Sequence, residues 1–236
     1  MVLEAAGPEL PDPAVVPLLR LGAWAAAFQA HAADLGHPDR AVAETVERFA
    51  RLEPPREPAG DAFRAARDAL RRAPLGDALG PLWSIQLAGS LHAMVWDRRG
   101  RMPLTARRDL RGALDAYLER AADSVCVALM MTSAAMLIGE RGALTAIAPL
   151  TEVERHASIA ARLAQDLATW TAAPSPRNGV ALTSADAVRA RVAAERGALD
   201  ASLAALAASA PQTAGFARRF TDAFIATTTH VESIAA

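Results

Sequence analysis

RLAQDLATWTAAPSPRN (residues 162–178) sets polar side chains at helical spacing inside an alanine-rich, otherwise apolar run. Arg162, Gln165, Asp166, Thr169 and Ala173 follow one another at intervals of 3, 1, 3 and 4, which stacks all five positions on one face of a helix. An arginine beside a row of oxygen-bearing side chains suits a magnesium ion bridging to a substrate phosphate. Magnesium binds through few protein oxygens and completes its shell with phosphate oxygens and water. The guanidinium then offers a forked cation to the phosphate itself. The plainer reading of the spacing is the solvated face of an amphipathic helix. Both readings make the segment helical, and both end it at the proline-rich APSPRNG of residues 173–179.

Outward from that helix the pattern repeats. Leu150, Val153, Ala157, Ala160, Ala164 and Leu167 form its apolar stripe, and elsewhere too apolar residues recur every three or four positions between proline and glycine breaks. The spacing predicts helices at 13–35, 39–53, 60–73, 78–98, 107–139 (broken), 149–173, 184–209 and 212–233. Strand signals are nearly absent: there is a single tyrosine, and Asn178-Gly179 lacks strand-like flanks. No segment repeats at a fixed period. The expected architecture is one all-α domain over residues 1–236, a bundle of about eight helices, with residues 1–12 a disordered N-terminal stretch.

Composition narrows the function. Hydrophobic residues make up 52% and charged residues 22% of the 236 residues, a folding composition. Every one of the 25 cationic residues is arginine, which excludes lysine Schiff-base chemistry. A net charge of −1, with the arginines scattered among acidic neighbours, gives no surface for nucleic acid or an anionic membrane. The lone Cys126, flanked by SVCVAL, reads as a buried thiol and rules out an internal disulfide. VCVALMMTSAAMLIG (125–139) is too short for the ~20 residues of a membrane span and reads as a core helix. With no signal-like N-terminus, a cytoplasmic location is expected.

RLAQDLATW resembles the "RLxNDLxS" segment of class I terpene synthases, whose second metal motif places Asn or Asp, Ser or Thr, and Glu at four-residue intervals. Those ligand positions fall on Gln165, Thr169 and Ala173. RNGVALTSADAV resembles the stretch that opens the next helix in many bacterial members. LGAWAAAFQAHAADL (21–35) resembles the first metal helix, with its expected aspartates replaced by Gln29, Ala30 and Ala33 and with Asp34 displaced by one position. WDRRGRMPLTARRDLRGALDAYLERAADS (96–124) resembles the run that leads into the broken helix beside the cavity. Arg120, 45 residues before Gln165, lies near the place of the family's diphosphate-sensing arginine, with Tyr117 beside it. Arg218 and Arg219 are the nearest counterparts of its C-terminal arginine-tyrosine pair.

The resemblance spans residues 20 to about 190. It implies a terpenoid-synthase-like bundle around an apolar cavity, acting on a C15 or C20 prenyl diphosphate by metal-assisted ionisation and carbocation cyclisation. In that reading Arg120, Arg162 and Tyr117 hold the diphosphate, and Asp34, Gln165 and Thr169 make a weakened magnesium site. Asp166 orients Arg162 or a neighbouring helix, while Trp24, Phe28, Trp96 and Trp170 present aromatic faces to the carbocation. Phe63 and Trp83 belong to the same aromatic set. The departures at Gln29, Ala30, Ala33 and Ala173 remove carboxylates that neutral groups cannot replace at a leaving diphosphate. The alternatives are a non-catalytic relative that binds a prenyl ligand or pairs with an active synthase subunit, and a plain helical interaction domain. A homodimer fits the same frame. His31, Asp34, His37 and Asp39 could suggest a metal site but read as caps and surface polar groups, and Glu152 and His156, four apart, lack the spacing of the Glu-x-x-His pair of di-iron bundles.

Overall fold

The computed structural model describes residues 10, 12–34, 39–53, 58–99, 110–172, 175 and 178–234. Among these there are eleven α-helices and no strand. They are α1 (Asp12–Asp34), α2 (Asp39–Ala50), α3 (Pro58–Arg71), α4 (Gly76–Arg99), α5 (Leu110–Ala121), α6 (Val127–Ile138), α7 (Gly142–Thr145), α8 (Ile147–Ala172), α9 (Gly179–Leu182), α10 (Ala185–Ala207) and α11 (Pro211–Ile234). A 3-10 turn, Ala122–Val125, joins α5 to α6. The all-α expectation holds, and the eight predicted segments fall on the long helices. Leu10 is buried and Asp12 is already helical, so order begins earlier than residue 13. Two four-residue helices, α7 and α9, occupy stretches that read as breaks, because a single turn has no period to detect.

The break expected within 107–139 sits at Ala122–Cys126. Cys126 adopts the left-handed region at φ 57°, where an L-residue continues no helix, and the chain restarts as α6. The next helix, VALMMTSAAMLI, is buried on nearly every face, including Thr132 and Ser133. Among the described residues no single helix is long and apolar enough to cross a membrane. The bent pair Gly112–Val125 and Val127–Ile138, at 46°, has the length and composition, but α6 lies inside the protein.

Two apolar clusters organise the interior. The larger runs from α1, α2, α3 and α4 through α6 and the first half of α8 to α10 and α11. At its centre Trp24 meets Phe63, Phe49 and Phe28 with ring centroids 4.8, 5.3 and 5.8 Å away, and Phe63 stacks on Trp83 at 6.2 Å. The smaller joins α5, α9 and the start of α10 to the second half of α8, through Tyr117, Leu163, Val180 and Val188. Helix α8 therefore belongs to both, and packs on α10, α11, α6 and the 3-10 turn.

Capping follows from unpaired helix-end N–H groups. The Ser184 hydroxyl accepts from Ala187 N at the start of α10, and the Glu140 carboxylate accepts from Gln212 N, Thr213 N and the Thr213 hydroxyl at the start of α11. At Gly142 the backbone of α7 presses on the turn before α11: a β-carbon there would lie 1.6 Å from the Ser209 carbonyl oxygen. Gly197, inside α10, has nothing within 4 Å of the same position. Gly142→Ala is therefore expected to destabilise by roughly 1–3 kcal/mol through overpacking, whereas Gly197→Ala stabilises by roughly 0.5–1 kcal/mol by lowering chain entropy. Urea unfolding midpoints check the opposite signs.

Candidate functional site

The polar face of α8 is buried at Arg162 and Asp166, half-buried at Gln165 and exposed at Thr169. Arg162 is only 6% exposed and Asp166 only 1%. Arg162 Nη2 pairs with Asp97 Oδ1 of α4 at 2.8 Å and with Asp166 Oδ1, one turn along α8, at 3.1 Å. Its Nε donates to the Tyr117 hydroxyl of α5 at 2.8 Å, and its Nη1 to Ser124 Oγ in the 3-10 turn at 2.9 Å. The Tyr117 hydroxyl donates onward to Asp166 Oδ2 at 2.8 Å, and Gly179 N of α9 donates to the same oxygen at 3.1 Å.

Asn178, on the next segment, completes the lock. Its Nδ2 donates to the Asp166 carbonyl at 2.6 Å and to Thr169 Oγ1 at 3.0 Å, while its Oδ1 accepts from Val180 N at the start of α9. A buried cation persists only when paired and fully hydrogen-bonded. Burial disfavours the Arg162 charge, but Asp166, Tyr117 and Asp97 outweigh it and hold the guanidinium firmly protonated. Burial pushes the Asp166 carboxyl up against the opposing pull of Arg162 and the Tyr117 hydroxyl.

This geometry changes several roles given by the resemblance. Arg162 and Tyr117, expected on a diphosphate, bind protein groups instead, and Asp166 does orient Arg162. Thr169, expected as a metal ligand, donates its hydroxyl to the Gln165 carbonyl at 2.8 Å and accepts from Asn178. Gln165 is half-buried and Arg120 is exposed at the end of α5. The side chain of Asp34, and with it the cluster of His31, His37 and Asp39, lies outside the described residues. Arg218 is paired with Asp200 on the surface. His156 sits between Glu152 and Glu195, with Nδ1 2.6 Å from Glu195 Oε2.

The aromatic residues divide between the two interiors. Trp24, with no exposed surface, and Phe28, 4% exposed, are packed core, so the cavity wall expected of them is filled by rings. Trp96 and Trp170 pack on the smaller cluster, Trp96 at 6.0 Å from Tyr117. The two motif helices are bridged by one residue of the 3-10 turn: Gln29 of α1 donates to the Ser124 carbonyl at 2.6 Å, and Ser124 Oγ accepts from Arg162 of α8.

Magnesium finds few donors here. Among the described residues no group of three or more His, Cys, Asp or Glu side chains is placed to hold a metal ion. Asp97 and Asp166 already face Arg162, and Gln29 and Thr169 are neutral and engaged. The described residues do not fit a multi-magnesium site.

A cleft of about 690 Å³ opens elsewhere, between α4, α5, the 3-10 turn, α6, α8 and α10, with Gln86, Asp123, Glu154 and Ser158 in its wall. None of the residues expected at the site lines it. Glu154 is 2% exposed, accepts from the Thr132 hydroxyl, and accepts from Gln86 Nε2 at 2.6 Å. Burial, with nearby Asp123 adding to it and the two hydrogen bonds opposing it, raises the Glu154 carboxyl to about 8. The signal in the sequence was Thr132 inside the most apolar run, which meets Glu154 on a helix otherwise striped with alanine; its neighbour Ser133 instead accepts from Trp83 Nε1.

No protein-family model matches the chain, and no curated protein does.

Two outcomes follow from these buried charges. Arg162→Met leaves Asp97 and Asp166 without their cation, and is expected to cost about 3–5 kcal/mol in chemical denaturation. For Glu154 the folded state keeps a proton that the unfolded chain releases above its ordinary value of 4.5, so stability falls as pH rises from there to about 8 and then levels. Thermal melts from pH 5 to pH 9 should show the wild type losing stability relative to Glu154→Gln across that window.

Proposed function

We propose that this chain is a non-catalytic, terpene-synthase-like helical protein that holds a small organic ligand in the cleft beside the α5–α6 break, without ionising a prenyl diphosphate through magnesium. The observation that carries the reading is the enclosure of Arg162. The arginine in the motif that resembles the second metal segment is buried and spends four of its five N–H donors on Asp97, Asp166, Tyr117 and Ser124, so it has no fork left to offer a diphosphate. The neutral groups at Gln29 and Thr169 support the same conclusion, because a leaving diphosphate is stabilised by metal charge that amides and hydroxyls do not supply.

The cleft supports the binding half of the proposal. Its volume lies within the few hundred to a thousand Å³ usual for small-molecule sites, and it combines apolar walls with a few convergent polar groups. A cyclase is the competing reading, and one observation favours it: α1 and α8, the helices that resemble the two metal segments, converge on Ser124.

Incubation of the folded protein with farnesyl and geranylgeranyl diphosphates and magnesium is expected to release no hydrocarbon or alcohol. A thermal-shift titration with pyrophosphate and magnesium, separately and together, is expected to give no joint shift beyond the sum. Product release, or a joint shift well above the sum, overturns the proposal in favour of the cyclase.

A further inference from the structure

Two buried polar atoms in the cleft wall have no hydrogen-bond partner: Gln86 Oε1 and Ser158 Oγ, the latter on a side chain 1% exposed. Native interiors rarely leave such atoms unpaired, and the cost of doing so is comparable to a lost hydrogen bond. Gln86 Nε2 is fixed on Glu154, which leaves the Gln86 oxygen as an acceptor only. Whatever completes the site brings a donor.

The charge of the wall points the same way. It carries Asp115, Glu119, Asp123 and Glu154 against two arginines, Arg155 and Arg191. Both arginines are committed: Arg155 pairs with Glu152, and Arg191 with Asp115 and Glu195. No described cation pairs with Asp123, and its carboxyl is pushed up by partial burial alone. Glu154 likewise has only neutral partners, Thr132 and Gln86. Two carboxyls, of which Glu154 is raised in part by Asp123, a carbonyl acceptor and a hydroxyl therefore line one cleft without a counter-charge, beside the apolar side chains of Leu118 and Ile159.

We propose that the cleft takes an alkylamine-type ligand, whose ammonium group lies between Asp123 and Glu154 and donates to Gln86 Oε1, while its carbon chain rests on Leu118 and Ile159. The inference rests on the binding role given above and names the ligand class for it. The Ser158 hydroxyl oxygen accepts from the same ammonium head. An ammonium offers three donors and a charge, which answers both the unpaired acceptors and the uncompensated carboxyls. A bare metal ion answers them less well, since no set of three acidic, His or Cys ligands is assembled among the described residues.

Binding of the cation would also drive a proton off Glu154 to the buffer, because the buried carboxyl ionises more readily beside a positive charge. The charged groups that share the cleft wall with that carboxyl are Asp123, Glu119 and Asp115 from the α5 side, Arg155 from α8 and Arg191 from α10, and neutral Gln86 and Thr132 hydrogen-bond to it from α4 and α6. Burial raises Glu154 to about 8.

Isothermal titration of the full chain with hexylammonium, 1-hexanol, hexanoate and magnesium chloride tests this. Hexylammonium is expected to bind at least about tenfold more tightly than hexanol, with proton release at pH 7 and with affinity rising towards pH 8. Asp123→Asn and Glu154→Gln are each expected to weaken it about tenfold. Asp123 makes no hydrogen bond to a described side chain, so its variant keeps the test open should Glu154→Gln fold poorly. Equal binding of hexanol, preference for hexanoate, saturable binding of magnesium at these carboxyls, no binding of any probe, or indifference to Asp123→Asn each overturns the amine assignment. Prenyl diphosphate turnover instead overturns the binding role on which it rests.

Discussion

A guanidinium without access to water dictates much of this fold. Arg162 carries a full charge in a place where an unpaired ion would cost several kcal/mol, and every element around it contributes an oxygen that offsets the cost. Asp97 comes from α4, Tyr117 from α5, Ser124 from the 3-10 turn and Asp166 from α8 itself. Asp166 in turn draws in Gly179 N, and its carbonyl draws in Asn178. Apolar packing is tolerant of small shifts, whereas bonds of 2.8–3.1 Å with defined directions are not. The arrangement of α4, α5, α8 and α9 is therefore set more narrowly by these polar atoms than by the side chains of Leu163 and Val180 that surround them.

Much of this was legible in the sequence, and the limit is instructive. The 3.6-residue period found all nine long helices among the described residues, α5 and α6 as one broken segment. Glycine and proline marked their ends. The spacing of Arg162, Asp166 and Thr169 put them on one face, whereas the bridge from Gln29 to Arg162 through Ser124 has no mark in the sequence. Spacing says which residues share a face and nothing about what lies opposite. Asp97 and Tyr117 are 65 and 45 positions from Arg162, and nothing in the local pattern marks them as its partners. The same limitation sent Trp24 and Phe28 to a cavity wall when Phe49 and Phe63 fill the space in front of them.

The cleft was missed for the complementary reason. Its defining atoms come one or two at a time from α4, α5, α6 and α8, and each lies in a segment whose dominant character is apolar. Gln86, Thr132, Glu154 and Ser158 read singly as exceptions to a stripe. Together they are a polar seam inside the bundle, assembled only when α8 passes across α4 and α6. A polar residue interrupting an otherwise buried run is thus more informative than the run itself, because the fold must provide for it.

Ser124 has a consequence for how the bundle can move. Its carbonyl is fastened to Gln29 and its hydroxyl to Arg162, on opposite helices, at the one place where the α5–α6 rod is jointed. A joint riveted from both sides does not flex by itself. Any bending there must drag α1 and α8 along together, so a disturbance felt at one is transmitted to the other through a single small residue.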